Sequence, residues 1–212
     1  LALQPEKPIV LHGADGVSRK GESEGNASYY YSFPRIRTSG TVTVEGTAYA
    51  VTGDSWMDHE FSSSLLERGQ VGWDWFSIQL DNNTELMLYQ MRRDDGAVDR
   101  HSSGTFVAAN GDQIALSASD FQLKPSATWY STRTAAAYPL CWEIAIPELD
   151  MLLQVQPAFE QQEMVTEATT GISYWEGSIS VDGQQGRATV RGTGYMELTG
   201  YAGRGLGSIL DE

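Results

Sequence analysis

The sequence predicts an all-β protein whose antiparallel hairpins close into a β-barrel. Three observations carry that prediction. Short runs alternate apolar and polar side chains, as strands with one buried face require. Turn residues punctuate these runs, with 22 glycines among 212 residues. Helix-like patterning is confined to two weak stretches, 62–68 and the acidic 159–167.

Taken in order, residues 1–27 hold one apolar run at 8–11, followed by Gly, Lys, Glu and Ser. They read as a strand remnant and a long loop. In the extended stretch 28–33, Tyr29, Tyr31 and Phe33 share one face and Tyr30 takes the other. Residues 38–51 form a hairpin turning at Glu45-Gly46. Residues 73–80 and 85–92 form the clearest hairpin, joined by Asp81-Asn82-Asn83-Thr84. Asn110-Gly111 turns 105–109 into 113–116. Strands follow at 127–132, 140–146 and 151–156, the last two bounded by Pro139, Pro147 and Pro157. A final hairpin pairs 172–181 with 187–199 through Asp182-Gly183. Long meandering hairpins and the lack of a Cys…Trp…Cys frame favour a barrel over a sandwich. A composition shift near residue 57 marks a domain boundary.

Charge excludes several function classes. The chain carries 28 acidic and 14 basic residues, a formal net charge of −14. Arg92-Arg93 is followed at once by Asp94-Asp95, so no basic surface forms. Nucleic acid and anionic lipid both need one. The single cysteine, Cys141, excludes an intrachain disulfide and a Cys-based zinc site, and reads as a buried small hydrophobe. His12, His59 and His101 are scattered, and phosphate-loop, dinucleotide and nucleophile-elbow motifs are missing. No metal and no cofactor are expected.

The chemistry-bearing stretch is Trp56-Met57-Asp58-His59-Glu60-Phe61. Alternation puts Met57, His59 and Phe61 on one face and Trp56, Asp58 and Glu60 on the other. His59, flanked by apolar groups, reads either as a core histidine or as the one polar group of a greasy pocket. For acid–base chemistry it is the first candidate, because imidazole titrates near neutrality. Asp58 and Glu60 are the accompanying carboxylates, although their face separates them from the ring. Tyr30, Trp56, Trp73, Trp75 and Tyr89 are candidate walls for an apolar ligand. Glu143, Glu176 and Glu197 sit inside otherwise apolar strands, Glu176 sharing a face with Tyr174 and Glu197 with Tyr195. They form either a polar ladder with Arg133, Arg187 or Arg191, or the solvated outside of the barrel. An apolar lumen facing Trp142, Ile144 and Ile146 favours the outside.

Several motifs together resemble one family. They are Asn26-Ala-Ser-Tyr-Tyr-Tyr-Ser32, Ser55-Trp-Met-Asp-His-Glu-Phe-Ser62, Gly72-Trp-Asp-Trp-Phe-Ser77, Glu85-Leu-Met-Leu-Tyr89, Tyr174-Trp-Glu-Gly177 and Gly194-Tyr-Met-Glu-Leu-Thr-Gly-Tyr201. Spread over residues 8–202, they resemble the AttH-like, lipocalin-like proteins grouped with carotenoid 1,2-hydratases. Kievitone hydratase and lipocalin-like Diels–Alderases stand further off. The resemblance implies two lipocalin-like barrels in a longer protein, with ligands held at or between them. Residues 1–56 then correspond to the end of an incomplete first barrel, 57–205 to the second and 206–212 to a tail. It also implies an extracytoplasmic bacterial setting. In the hydratase branch the central motif resembles His-Asp-His-Asn-Trp; this chain keeps Asp58 and His59 but has Met57, Glu60 and Phe61.

Two functions follow as expectations. One is a lipocalin-like carrier of an extended hydrophobic small molecule, such as an isoprenoid, polyketide or lipid. The other is an acid–base enzyme acting on C=C bonds: a hydratase, isomerase or pericyclic cyclase. A third possibility is a structural subunit completed by the amino-terminal barrel or by a second copy.

Overall fold

The computed structural model describes residues 1–62, 66–166 and 173–202. Its strands form two antiparallel sheets. The first holds β1 (Ala2–Pro5), β2 (Val10–Leu11), β3 (Val17–Arg19), β4 (Ala27–Val44) and β5 (Thr47–Ser62). β4 is its spine, pairing with β1, β2 and β3 and with β5. The second holds β6 (Gln70–Leu80), β7 (Glu85–Arg93), β8 (Ser103–Val107), β9 (Gln113–Ser117) and β10 (Gln122–Tyr130). It continues with β11 (Ala137–Ile146), β12 (Met151–Pro157), β13 (Glu163–Val165), β14 (Ser173–Gln185) and β15 (Ala188–Leu198). Its order is β10-β11-β12-β14-β15-β6-β7-β8-β9, with β13 on β14. The β15–β6 ladder, from Gly192↔Leu80 to Leu198↔Asp74, joins the sheet's last strand to its first in mid-sheet, and the sheet curls into a lipocalin-like half-barrel with β10 and β9 as its edges.

The lumen is solid. Phe76, Ile78 and Leu80 from β6 meet Trp142, Ile144 and Ile146 from β11, with Trp175, Ile179 and Val181 from β14. Phe76 and Trp142 stack edge to face at 5.5 Å. Both buried indoles keep a partner, Trp142 Nε1 donating to Pro139 O at 2.6 Å and Trp175 Nε1 to Glu160 O at 2.7 Å. Each large aliphatic or aromatic side chain so buried contributes roughly 1.5–3 kcal/mol.

The first sheet lies across the outside of this barrel. Ser28, Tyr30 and Ser32 of β4 are buried, and Tyr30 packs with Met87, Tyr89 and Met91 of β7 and with Trp56, Trp73 and Trp75. β7 is therefore buried on both faces, which explains its unbroken run from Glu85 to Tyr89. Glu85 is fully buried between Lys7 Nζ and Arg35 Nε, each 2.6 Å away. Two cations offset the cost of burying one carboxylate, and Lys7 also donates to Asn83 O and Ala108 O. β4–β5 pairing slips by one residue between Phe33 and Ile36, where Pro34 has no N–H to give. The Pro34 carbonyl instead accepts from Gln79 Nε2 of β6 at 2.7 Å, tying the sheets together.

Several expectations need correction. β4 and β5 extend far beyond 38–51, and residues 1–27 supply three short strands instead of one remnant and a loop. The last hairpin does not turn at Asp182-Gly183: strand pairing runs through both to Gln185, and the turn falls at Gly186, whose φ is +60°. The stretch 159–166 forms no helix; β13 takes its place, and residue 167 lies outside the described residues. Of the other helix candidate, 62–68, residue 62 ends β5, 63–65 lie outside the described residues and 66–68 are not helical. β5 runs through residue 57 and His59, which pairs with Tyr31, to Ser62, and the second sheet begins at Gln70. Cys141 is half-buried rather than core, since alternation sends Trp142 inward in its place.

Candidate functional site

Between the two sheets lies a cavity of about 730 Å³. Even-numbered residues of β5 and odd-numbered residues of β6 face it, because each strand offers every second side chain. From β5 come Trp56, Asp58 and Glu60, and from β6 Trp73, Trp75, Ser77 and Gln79. Tyr30 comes from β4, Glu176 from β14, and Tyr195 and Glu197 from β15. A smaller chamber of about 410 Å³ shares Glu60, Trp73 and Trp75 and adds Tyr89, Met91 and Lys20.

The structure thus gathers seven of the eight residues singled out from the sequence: Asp58, Glu60, Tyr30, Trp56, Trp73, Trp75 and Tyr89. His59 is the exception. It is exposed on the opposite face of β5, stacked on Tyr31 at 5.1 Å and edge-on to Phe61 at 5.4 Å. Neither a core nor a pocket surrounds it, because the alternation that brings Asp58 inward turns His59 outward.

Asp58 sits at the centre of a directed network. Trp56 Nε1 donates to Oδ1 at 2.7 Å, Ser32 Oγ donates to the same oxygen, and Tyr30 OH donates to Oδ2 at 2.9 Å. Trp75 Nε1 donates in turn to Tyr30 OH at 3.0 Å. Behind Ser32, His12 Nε2 stands 2.7 Å from Ser32 Oγ and His12 Nδ1 2.9 Å from Thr105 Oγ1. Because Ser32 gives its proton to Asp58, its oxygen accepts from His12 Nε2–H, and Nδ1 accepts from Thr105. Burial, with help from the Lys20 charge, pushes His12 down to about 3, so the ring is neutral. Loss of water around Asp58 raises its carboxyl, while the Ser32, Trp56 and Tyr30 bonds oppose the rise.

Glu197 is held differently. Burial pushes its carboxyl up to about 7, and the neighbouring Glu176 carboxylate adds to the rise. A single donor opposes it, Trp73 Nε1 at 3.2 Å. Two acids lining one cavity are thereby separated: Asp58 accepts three hydrogen bonds, whereas Glu197 accepts one and holds its proton near neutrality. Glu176 and Glu197 do stand outside the barrel, but under the first sheet rather than in bulk solvent. Sequence reasoning missed their role, and that of His12, because covering is a tertiary event. Glu143 is half-buried away from this cavity and accepts from the exposed Gln154 at 3.0 Å. Among the described residues no three His, Cys, Asp or Glu side chains gather as a metal-binding group.

With this geometry in view, comparisons with known proteins place the chain. A family model described as AttH-like matches residues 1–201. The chain belongs to the AttH-like family. An AttH protein of Nitrosomonas europaea superposes on this AttH-like chain with a TM-score of 0.85 at 37% identity, over 94% of this chain and 61% of that one. Kievitone hydratase of Nectria haematococca shares the fold, with a TM-score of 0.76 at 20% identity over 92% of this chain and 59% of that one. Dehydratase asqC of Emericella nidulans is 24% identical over 203 residues, 91% of this chain and 55% of that protein. The AttH-like chain thus spans about half the length of the curated relative it matches.

Proposed function

We propose that the inter-sheet cavity binds an extended apolar molecule and adds or removes water at one of its C=C bonds, with Glu197 as the proton carrier. The observation that carries this reading is a carboxyl poised at about 7 in an indole-walled cavity. In the dehydration direction, the Glu197 proton goes to the leaving hydroxyl and the C–O bond breaks to release water. The cation left on carbon faces the Trp73 and Trp75 rings, whose π faces favour positive charge. A carboxylate then takes a proton from the adjacent carbon, and the C–H electrons become the double bond. Asp58 suits that step, because Oδ2 accepts only Tyr30 and keeps a free lone pair. Hydration is the same sequence reversed. Kinship with a protein named as a dehydratase supports this reading.

The carrier reading uses the same aromatic walls and dispenses with Glu197. The two separate in one experiment: incubation with prenyl-type tertiary alcohols and alkenes, with products followed by mass spectrometry and affinity by tryptophan quenching. Glu197→Gln is expected to cut turnover by about 10²–10⁴-fold with affinity retained. Tight binding with no turnover by the unmodified protein would leave the carrier.

A further inference from the structure

The larger chamber is lined by the carboxylates of Asp54, Asp58, Glu60, Glu176 and Glu197 and, among the described residues, by no lysine or arginine. Asp54 is paired with Arg35 and Glu60 with Lys20, but no cation among the described residues lines the chamber to meet an anionic group. Among the described residues, the smaller chamber has one cation in its lining. Lys20 brings an ammonium group to it, with the side chain only 12% exposed. Its Nζ lies 2.9 Å from Glu60 Oε1, 3.7 Å from the centre of the Tyr89 ring and 5.4 Å from that of Tyr30. Ring faces attract the charge without accepting N–H bonds as an oxygen does, so the ammonium group retains donors for a ligand.

We propose that the ligand is an amphiphile whose anionic oxygen (carboxylate, enolate or phenolate) is held by Lys20 in the smaller chamber. Its apolar body crosses the shared Trp73 and Trp75 wall, placing the reacting carbons in the larger chamber. Charge sets this polarity: the opposite orientation would put an anion among five acidic side chains and leave Lys20 facing hydrocarbon. Residues two apart on a strand lie roughly 7 Å from one another, so two indoles give the body a track of that order. The assignment rests on the cavity being the ligand site, and it names the end of the ligand that enters first.

Retinoic acid and retinol test it, because they share one polyene body and differ in the terminal group. Tryptophan quenching should show retinoic acid binding at least about 10-fold more tightly than retinol, as expected for a charge-assisted bond out of bulk water. Lys20→Met should erase the preference by weakening retinoic acid alone, and Lys20→Arg should restore most of it. Equal affinities in the unmodified protein, or a preference that survives Lys20→Met, would overturn the Lys20 assignment while leaving the cavity reading intact. The first comparison needs no variant, so it holds even if Lys20→Met fails to fold. Binding of neither probe would overturn the cavity reading and this assignment together.

Discussion

The two faces of β6 show how one strand serves two purposes. Phe76, Ile78 and Leu80 point into a lumen that is filled to solidity, whereas Trp73, Trp75, Ser77 and Gln79 point into open, acid-lined space. The lumen of this barrel is core, and the ligand-sized volume lies outside it, under a second sheet. Packing explains the difference. Strands of one barrel interdigitate their side chains at crystal-like density, but two sheets bridged by the Lys7–Glu85–Arg35 cluster and the Tyr30 contacts leave room between those supports.

That contrast can be broken first by truncation. Trp142→Ala removes one of the two largest lumen side chains and is expected to cost about 3–5 kcal/mol of stability. Trp56→Ala, on the cavity side, should cost about 1 kcal/mol or less while weakening ligand binding. Urea unfolding of both variants checks this; equal losses would mean that the cavity face is core too.

A smaller effect sharpens the contrast at the end of the lumen. Asp74 is fully buried, with Tyr201 OH donating to it at 2.8 Å and Arg92 Nε in ion-pair contact at 3.2 Å. Burial pushes its carboxyl up to about 6, against the pull of Arg92. A carboxyl raised in the folded state holds its proton more tightly there than in the unfolded chain. Its contribution is therefore fully present below about pH 4 and is lost as pH rises through about 6. The stability of the unmodified protein relative to Asp74→Asn should fall by up to about 3 kcal/mol across that window and stay flat above it. Denaturation at stepped pH values would show a constant difference if the idea is mistaken.

The smallest effect is expected at His59. Since its ring faces away from the cavity, His59→Ala should change stability by no more than about 0.5 kcal/mol and turnover by less than about two-fold. A large loss of turnover, measured beside Glu197→Gln, would move the chemistry to the outer face of β5.

Much of this was legible before any coordinates. Period-two alternation gave the inward Trp142-Ile144-Ile146 face and the separation of His59 from Asp58 and Glu60, though not the full length or every turn of the hairpins, because alternation is local to a strand. The aromatic walls were legible for the same reason. The poised acid was not. Alternation puts Glu176 and Glu197 outside the barrel, and nothing local distinguishes them from Glu143, which is half-buried but does not line the cavity. The first sheet decides the matter by enclosing a cavity that two of the three line and the third does not. His12 likewise gains its place behind Asp58 only when β2 pairs beside Tyr31 and Ser32. The sequence by itself determined which side of each strand a residue occupies. Only the tertiary structure decided which outward faces are covered, and burial by distant segments is what shifts a carboxyl toward neutrality.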